Sequence, residues 1–381
     1  MPKNRKKSFY GGGVSILVVA TTFLMVAIIV TSFIRLANRD SQMAASQDLS
    51  QSAYDSAQAG IEDAKRALLQ WQGACTESPQ SNDCAKFKTA LHQGLDSQSC
   101  KLLSEIFDIG DRNADETLIQ SSEGDKEFDQ AYTCVKINTE TSDYLGESPA
   151  GFSKLIPLKS TANFDKIRVS WFSEKDAGSS DMSLDDYPNK MLNAFPENSN
   201  WPQNRPSVSR AQFINGDDSG VVFLYPSANA AVNSEFNGIS PVVLQASHRI
   251  FDSSVLSPVR CAKSISESGY SGYACSVMIL LGRNIAPDSG SILNLSFQYG
   301  QTTNYKVEMI SPDNTVVNFK DVQPVIDSTG RANDQFRRVQ SRVELDGVDQ
   351  PVPEFAVSTD GKFCKTMIIR DNTAQSTVGC R

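Results

Sequence analysis

The chain's 381 residues suffice for an anchor plus one or two globular units, and its 40% hydrophobic share is ordinary for a folded protein. Lys3, Arg5, Lys6 and Lys7 put +4 on residues 1–13, so the net charge of −8 leaves −12 on everything after them. An acidic body excludes a large nucleic-acid footprint, which needs clustered cations against phosphates, and two histidines leave few of the usual general bases.

From Val14 to Ile34 the sequence reads VSILVVATTFLMVAIIVTSFI, 21 residues without a charge, glycine or proline. As a helix rising 1.5 Å per residue it spans about 30 Å, the hydrocarbon thickness of a bilayer. It is apolar on every side, unlike the amphipathic helix of a soluble core. A cleaved signal peptide is the competing reading. Its apolar region runs to about 7–15 residues and ends in a small-x-small site. This stretch is longer, and no such site follows within Ser32 to Asn38. The retained helix is therefore favoured. Residues 1–13 form a basic cytoplasmic leader, 14–34 cross the membrane once, and the C-terminus lies outside the cytoplasm.

Residues 35–72 continue the helix as an amphipathic stalk. No proline falls between Val14 and Gln72, and the only glycine is Gly60. Tyr54, Ile61 and Leu68 are seven apart and mark one helical stripe, Glu62 and Arg66 have ion-pair spacing, and Gly73 is the expected C-cap. The expectation is one helix of roughly 59 residues, about 90 Å long.

These residues carry a resemblance. The leader Lys6-Lys-Ser-Phe-Tyr-Gly-Gly-Gly13 followed by Val14-Ser-Ile-Leu-Val-Val is similar to the segment that a prepilin peptidase cuts. The segment Ala53-Tyr-Asp-Ser-Ala57-Gln-Ala-Gly-Ile-Glu-Asp-Ala64 resembles the one by which PilX-like minor pilins of type IV pili are recognised. The likeness covers about the first 70 residues. It implies a bacterial pilus subunit cut between Gly13 and Val14, whose helix packs against other pilin subunits and whose body meets a host or neighbouring-cell surface. Major pilins carry a glutamate five residues into the mature helix. Here that position is Val18, which points away from a major structural subunit.

All eight cysteines, Cys75, Cys84, Cys100, Cys134, Cys261, Cys275, Cys364 and Cys380, follow the anchor. An even count outside a reducing compartment predicts disulfides. Zinc would want close C-x2-C pairs or nearby histidines, and only His92 and His248 exist. Eight cysteines allow 105 pairings. Pairing of sequence neighbours is the simplest: 75–84, 100–134, 261–275 and 364–380. The last would close a loop similar to that of many pilins.

Residues 73–160 read as a cysteine-containing region of loops and short helices. Residues 161–350 read as a β-rich domain. Its apolar runs IRVSWF (167–172), VVFLY (221–225), PVVLQA (241–246), CSVMILL (275–281), ILNLSF (292–297), YKVEMI (305–310) and TVVNF (315–319) are separated by turn clusters. Two more strands are expected from Val325 and from Phe336, a long exposed loop over residues 174–210, and a disulfide-loop region over 351–381. The fold class is α+β: a long N-terminal transmembrane and stalk helix carrying a disulfide-bonded, mainly antiparallel β domain outside the cytoplasm.

Chemistry is scarce. Gly269-Tyr-Ser271-Gly272-Tyr273 lacks the last glycine of G-x-S-x-G and reads as a turn. Asp111, Asn113 and Asp115 have the first spacings of a calcium loop, but Glu116 and Ser122 stand where glycine and a bidentate acid are needed. A solvated acidic loop is favoured there. Asp185-Asp186 serves solubility, and Arg337-Arg338 a salt-bridged strand face. The chain is read as non-catalytic, without cofactor or metal. Its expected function is that of a surface-exposed minor pilin-like subunit in pilus assembly or adhesion, with membrane lipid as a partner. The alternative is a bitopic surface receptor or ligand-binding protein that never enters a filament.

Overall fold

The structure, a computed structural model, describes residues 12–97, 116–119, 129–178, 181–186, 201–216, 218–246, 256–266, 270–345, 367–370 and 375–378. It divides into two units. The first comprises Met1–Asn138 with Val325–Val343, and the second Thr139–Pro324 with Glu344–Arg381.

In the first unit, helix α1 runs unbroken from Gly12 to Glu77, 66 residues or roughly 100 Å. The expected C-cap at Gly73 is corrected: Gly73 lies inside the helix, and a Cβ there would meet nothing within 4 Å. The last turn is held instead by the Ser78 N–H on the Ala74 carbonyl at 3.0 Å and by a Cys75–Cys84 disulfide. That bond ties α1 to helix α2, Asn82–Ser97, which begins where the Ser81 hydroxyl accepts from the Cys84 N–H at 3.1 Å.

A four-stranded sheet completes the unit. Its order is β1 (Thr117–Leu118), β2 (Gln130–Thr141), β15 (Phe319–Ala332) and β16 (Gln335–Arg342). β15 and β16 form an antiparallel hairpin in continuous register from Val325↔Arg342 to Ala332↔Gln335.

The second unit is a β-sandwich. One sheet has the order β10 (Leu256–Arg260), β7 (Asp218–Ser227), β6 (Val208–Asn215), β12 (Ile292–Gln298), β4 (Ser153–Pro157), with β9 (Gln245–Ala246) on β7. The other has β14 (Val316–Val317), β13 (Thr303–Ile310), β5 (Phe164–Ser173), β11 (Tyr273–Ile285), β8 (Ser240–Val243), with β3 (Tyr144–Ser148) on β13. Alternate residues face inward, because side chains of a strand alternate between its two faces. Ile167, Val169, Trp171, Val307 and Met309 from one sheet share a core with Ala211, Phe213, Leu224, Leu293 and Phe297 from the other. A second disulfide, Cys261–Cys275, joins the end of β10 to β11 and so ties sheet to sheet. Cys275 stands directly opposite the fully buried Trp171 on β5.

The β domain is mainly antiparallel, with two parallel pairs, β10 on β7 and β8 on β11. Two expectations change. The region 73–160 holds strands β2, β3 and β4; in β2 the buried Val135, Ile137, Thr139 and Thr141 alternate with Lys136, Asn138 and Glu140, a period of two in which threonines stand at half of the inward positions and weaken the apolar signal. The loop expected over 174–210 contains a short helix α3, Glu174–Ala177, and the start of β6. Its Trp201 is buried, with the ring 4.8 Å from Tyr299 and the Arg205 guanidinium 5.1 Å above it. Strands β17 (Met367–Arg370) and β18 (Gln375–Val378) pair antiparallel within the region expected as a disulfide loop.

Candidate functional site: two halves of one helix

The first half of α1 is apolar and uncovered. Ile16, Phe23 and Phe33 are 74%, 75% and 66% exposed, and the helix's most apolar window has no part buried. It is long and apolar enough to cross a membrane. The hydroxyls of Thr21, Thr22, Thr31 and Ser32 bond within the helix. Thr21 donates to the Val18 carbonyl at 2.9 Å, Thr31 to Ala27 at 2.8 Å and Ser32 to Ile28 at 2.7 Å. Hydroxyls that bond their own helix leave nothing unpaired in hydrocarbon. Val18 is itself exposed. Gly13 and Val14, the expected cut, lie within the first turns of the helix, and Ile34, the expected end of the span, is exposed at 54%.

The second half has one buried face, rich in small residues. Ala53, Ser56, Ala57, Ala64, Ala67 and Leu68 are fully buried, with Ile61 and Trp71 nearly so. The stripe read from the sequence is therefore displaced at its start: Ile61 and Leu68 belong to it, whereas Tyr54 is 41% exposed. The reason is backbone proximity. A Cβ on Gly60 would lie 2.5 Å from the Ser328 hydroxyl, and one on Gly330 would lie 2.2 Å from the Ala53 carbonyl oxygen. At Gly60 the helix backbone meets the Ser328, Val135 and Tyr132 side chains, and at Gly330 the strand backbone meets the helix main chain, so neither position has room for a Cβ.

Polar ties fix the contact. The Tyr132 hydroxyl donates to the Asp63 carboxylate at 2.9 Å, and burial, reinforced by that carboxylate, pushes the phenol well above its ordinary range. Asp63 also takes Arg66 at 3.7 Å, in place of the expected Glu62–Arg66 pair. Arg337 donates to Ser50 at 2.7 Å.

The other candidates scatter. Asp185 receives a bidentate Arg205 and the Tyr225 hydroxyl, and Asp186 receives Asn229. Ser271 and Gly272 have φ of 56° and 89°, as a turn requires. Glu116 is held by Arg331. Arg338 pairs with Asp327, as a salt-bridged strand face needs. Asp111, Asn113, Asp115 and Ser122, like Cys100, Cys364, Cys380 and His248, lie outside the described residues, so the 100–134 and 364–380 pairings do too; Cys134 is disulfide-bonded. No group of three or more His, Cys, Asp or Glu side chains with metal-binding geometry occurs among the described residues.

What the sequence reading missed is the pair Ser328 and Gly330. The one available signal was a glycine inside a strand pattern, which marks close approach of another backbone. Comparison of the chain with protein-family models, with curated proteins and with solved structures finds no match.

Proposed function

We propose that the chain is a non-catalytic, single-pass membrane subunit of the type IV minor pilin kind, which presents its disulfide-bonded β units outside the cytoplasm for pilus assembly or adhesion. The observation that carries this reading is the division of one unbroken helix into a bare apolar half and a half sealed onto a sheet by small residues. Such a helix needs an apolar surrounding for residues 14–34 before and after assembly. Lipid supplies it in the membrane, and neighbouring apolar helices supply it in a filament. Those helices offer no water, and the threonine hydroxyls of this segment already need none.

The second reading is a bitopic surface receptor or ligand-binding protein, favoured by Val18. With no acid in the segment, the helix lacks the charged contact by which a major pilin pairs with its neighbour's amine. Intact-mass analysis of the chain from native membranes separates the two. A new N-terminus at Val14 supports the pilin reading, and an intact leader supports the bitopic one. A tag at Arg381 that reacts with reagents only from the cytosolic side overturns both.

A further inference from the structure

We infer that the outer edge of β16 is a docking site for an extended, acidic segment of another protein, added as a fifth strand to the first unit's sheet. Among the described residues β16 ends the four-strand order, and it is long: eight residues, about 27 Å. The opposite end is blunted by β1, which has only two residues. Pairing with β15 proceeds without a register shift, so no bulge turns the edge aside. Gln335-Phe-Arg-Arg-Val-Gln-Ser-Arg342 contains no proline or glycine. In an antiparallel pair, alternate residues of an edge strand aim both N–H and C=O outward, a template for another strand.

The charge of the edge selects the occupant. β16 carries Arg337, Arg338 and Arg342 and no acid, in a chain whose body is acidic. Arg338 bonds Asp327 of the neighbouring strand at 2.7 Å, while Arg337 meets the neutral hydroxyl of Ser50. Natural edges use such charges to repel unwanted strands, and here the repulsion is directed at the chain's own copies. Pairing two β16 edges antiparallel about their centre brings Arg337 and Arg338 of each within a residue or two of the other's, and parallel pairing stacks like on like. An acidic strand meets the opposite condition, with Phe336, 57% exposed, as an apolar contact at the hairpin end. The inference concerns the strand edge alone and does not depend on how the anchor is used.

The test uses the full chain in detergent micelles and a ten-residue, end-blocked peptide of alternating Glu and Thr, followed by hydrogen–deuterium exchange. The expected result is exchange at least about fivefold slower across 335–342, weakening as salt is raised. Arg337→Glu, which leaves the Arg338–Asp327 pair in place, is expected to weaken the effect about tenfold. Equal protection by a Lys and Thr peptide, protection elsewhere only, or none at millimolar peptide would overturn the proposal. So would slowing of the same amides by raised protein concentration alone, which would make a second copy the occupant.

Discussion

Gly330 of β15 approaches Ala57 of α1 so closely that a Cβ on the glycine would fall 2.2 Å from the Ala57 nitrogen. The obstacle is main chain of a helix, which cannot swing aside as a side chain can. Gly330→Ala must therefore push helix from sheet, open a gap along Ala53, Ala57 and Ala64, and lose the packing there. We expect the first unit to lose about 2–4 kcal/mol, read as faster amide exchange in β15 and β16, with little change in the β-sandwich strands.

Gly73 presents the reverse case. It sits in the helix with open space around its missing Cβ. Gly73→Ala removes backbone freedom from the unfolded chain at no steric cost, and is expected to stabilise the unit by about 0.5–1 kcal/mol. A higher midpoint of thermal unfolding, at unchanged disulfide content, checks it.

The contrast between those two glycines shows what could be read from the chain in advance. The long apolar helix was legible because its signal is local: length and absence of charge both sit within residues 14–34. The strands from Ile167 onward were legible for the same reason, since each is a short run of branched and aromatic residues between turns. The helix–sheet contact was not. Its partners lie far apart in sequence, as in the bond from Arg337 to the Ser50 hydroxyl across 287 positions, and no period announces such a pairing. Small residues on α1 gave the stripe no hydrophobic contrast either, which is why Tyr54 was drawn into it.

On the sheet that contains β5 and β13, Glu308 accepts a bidentate Arg168, at 2.7 Å and 2.5 Å, and lies 3.2 Å from the Lys306 ammonium. Burial alone would raise this carboxyl, but the two cations outweigh burial and hold it below its ordinary value near 4.5. A depressed acid stabilises the fold above its unfolded pKa, and that contribution drains away as pH falls through the lower, folded value. Glu308→Gln should cost about 2 kcal/mol at neutral pH and flatten the pH dependence of stability below about pH 4.5. Urea unfolding followed at a series of pH values measures both.

The proposed anchor makes its own demand. An arginine at the centre of a spanning helix costs about 2.5–3.5 kcal/mol of insertion. Leu24→Arg with Ile28→Arg, both on exposed apolar positions, should move the chain from the carbonate-resistant membrane pellet to the soluble or aggregated fraction. Charges placed at Asp40 and Asp48, where the helix is already polar, should not. Unchanged pelleting of the double variant would mean that the segment is not held by lipid.

The Cys261–Cys275 bond closes a loop of 14 residues between two sheets whose packed faces meet beneath Trp171. A cross-link of that span restricts the unfolded chain by about 3 kcal/mol in the entropic account. It also packs, since both cysteines are buried and Cys275 lies across from Trp171. Replacing both by alanine removes the link and leaves a small void, so the loss should reach about 3–4 kcal/mol and loosen β5 and β11 first. The Cys75–Cys84 bond spans fewer residues and joins two helices, with Cys84 buried and Cys75 half-buried. Its removal should cost less and leave Trp171 undisturbed. Trp171 is anchored independently through its indole N–H on the Ser207 carbonyl at 3.0 Å. Amide exchange at β5 in the two double variants distinguishes these outcomes, and equal loosening of β5 in both would contradict the assignment of the sandwich link to Cys261 and Cys275.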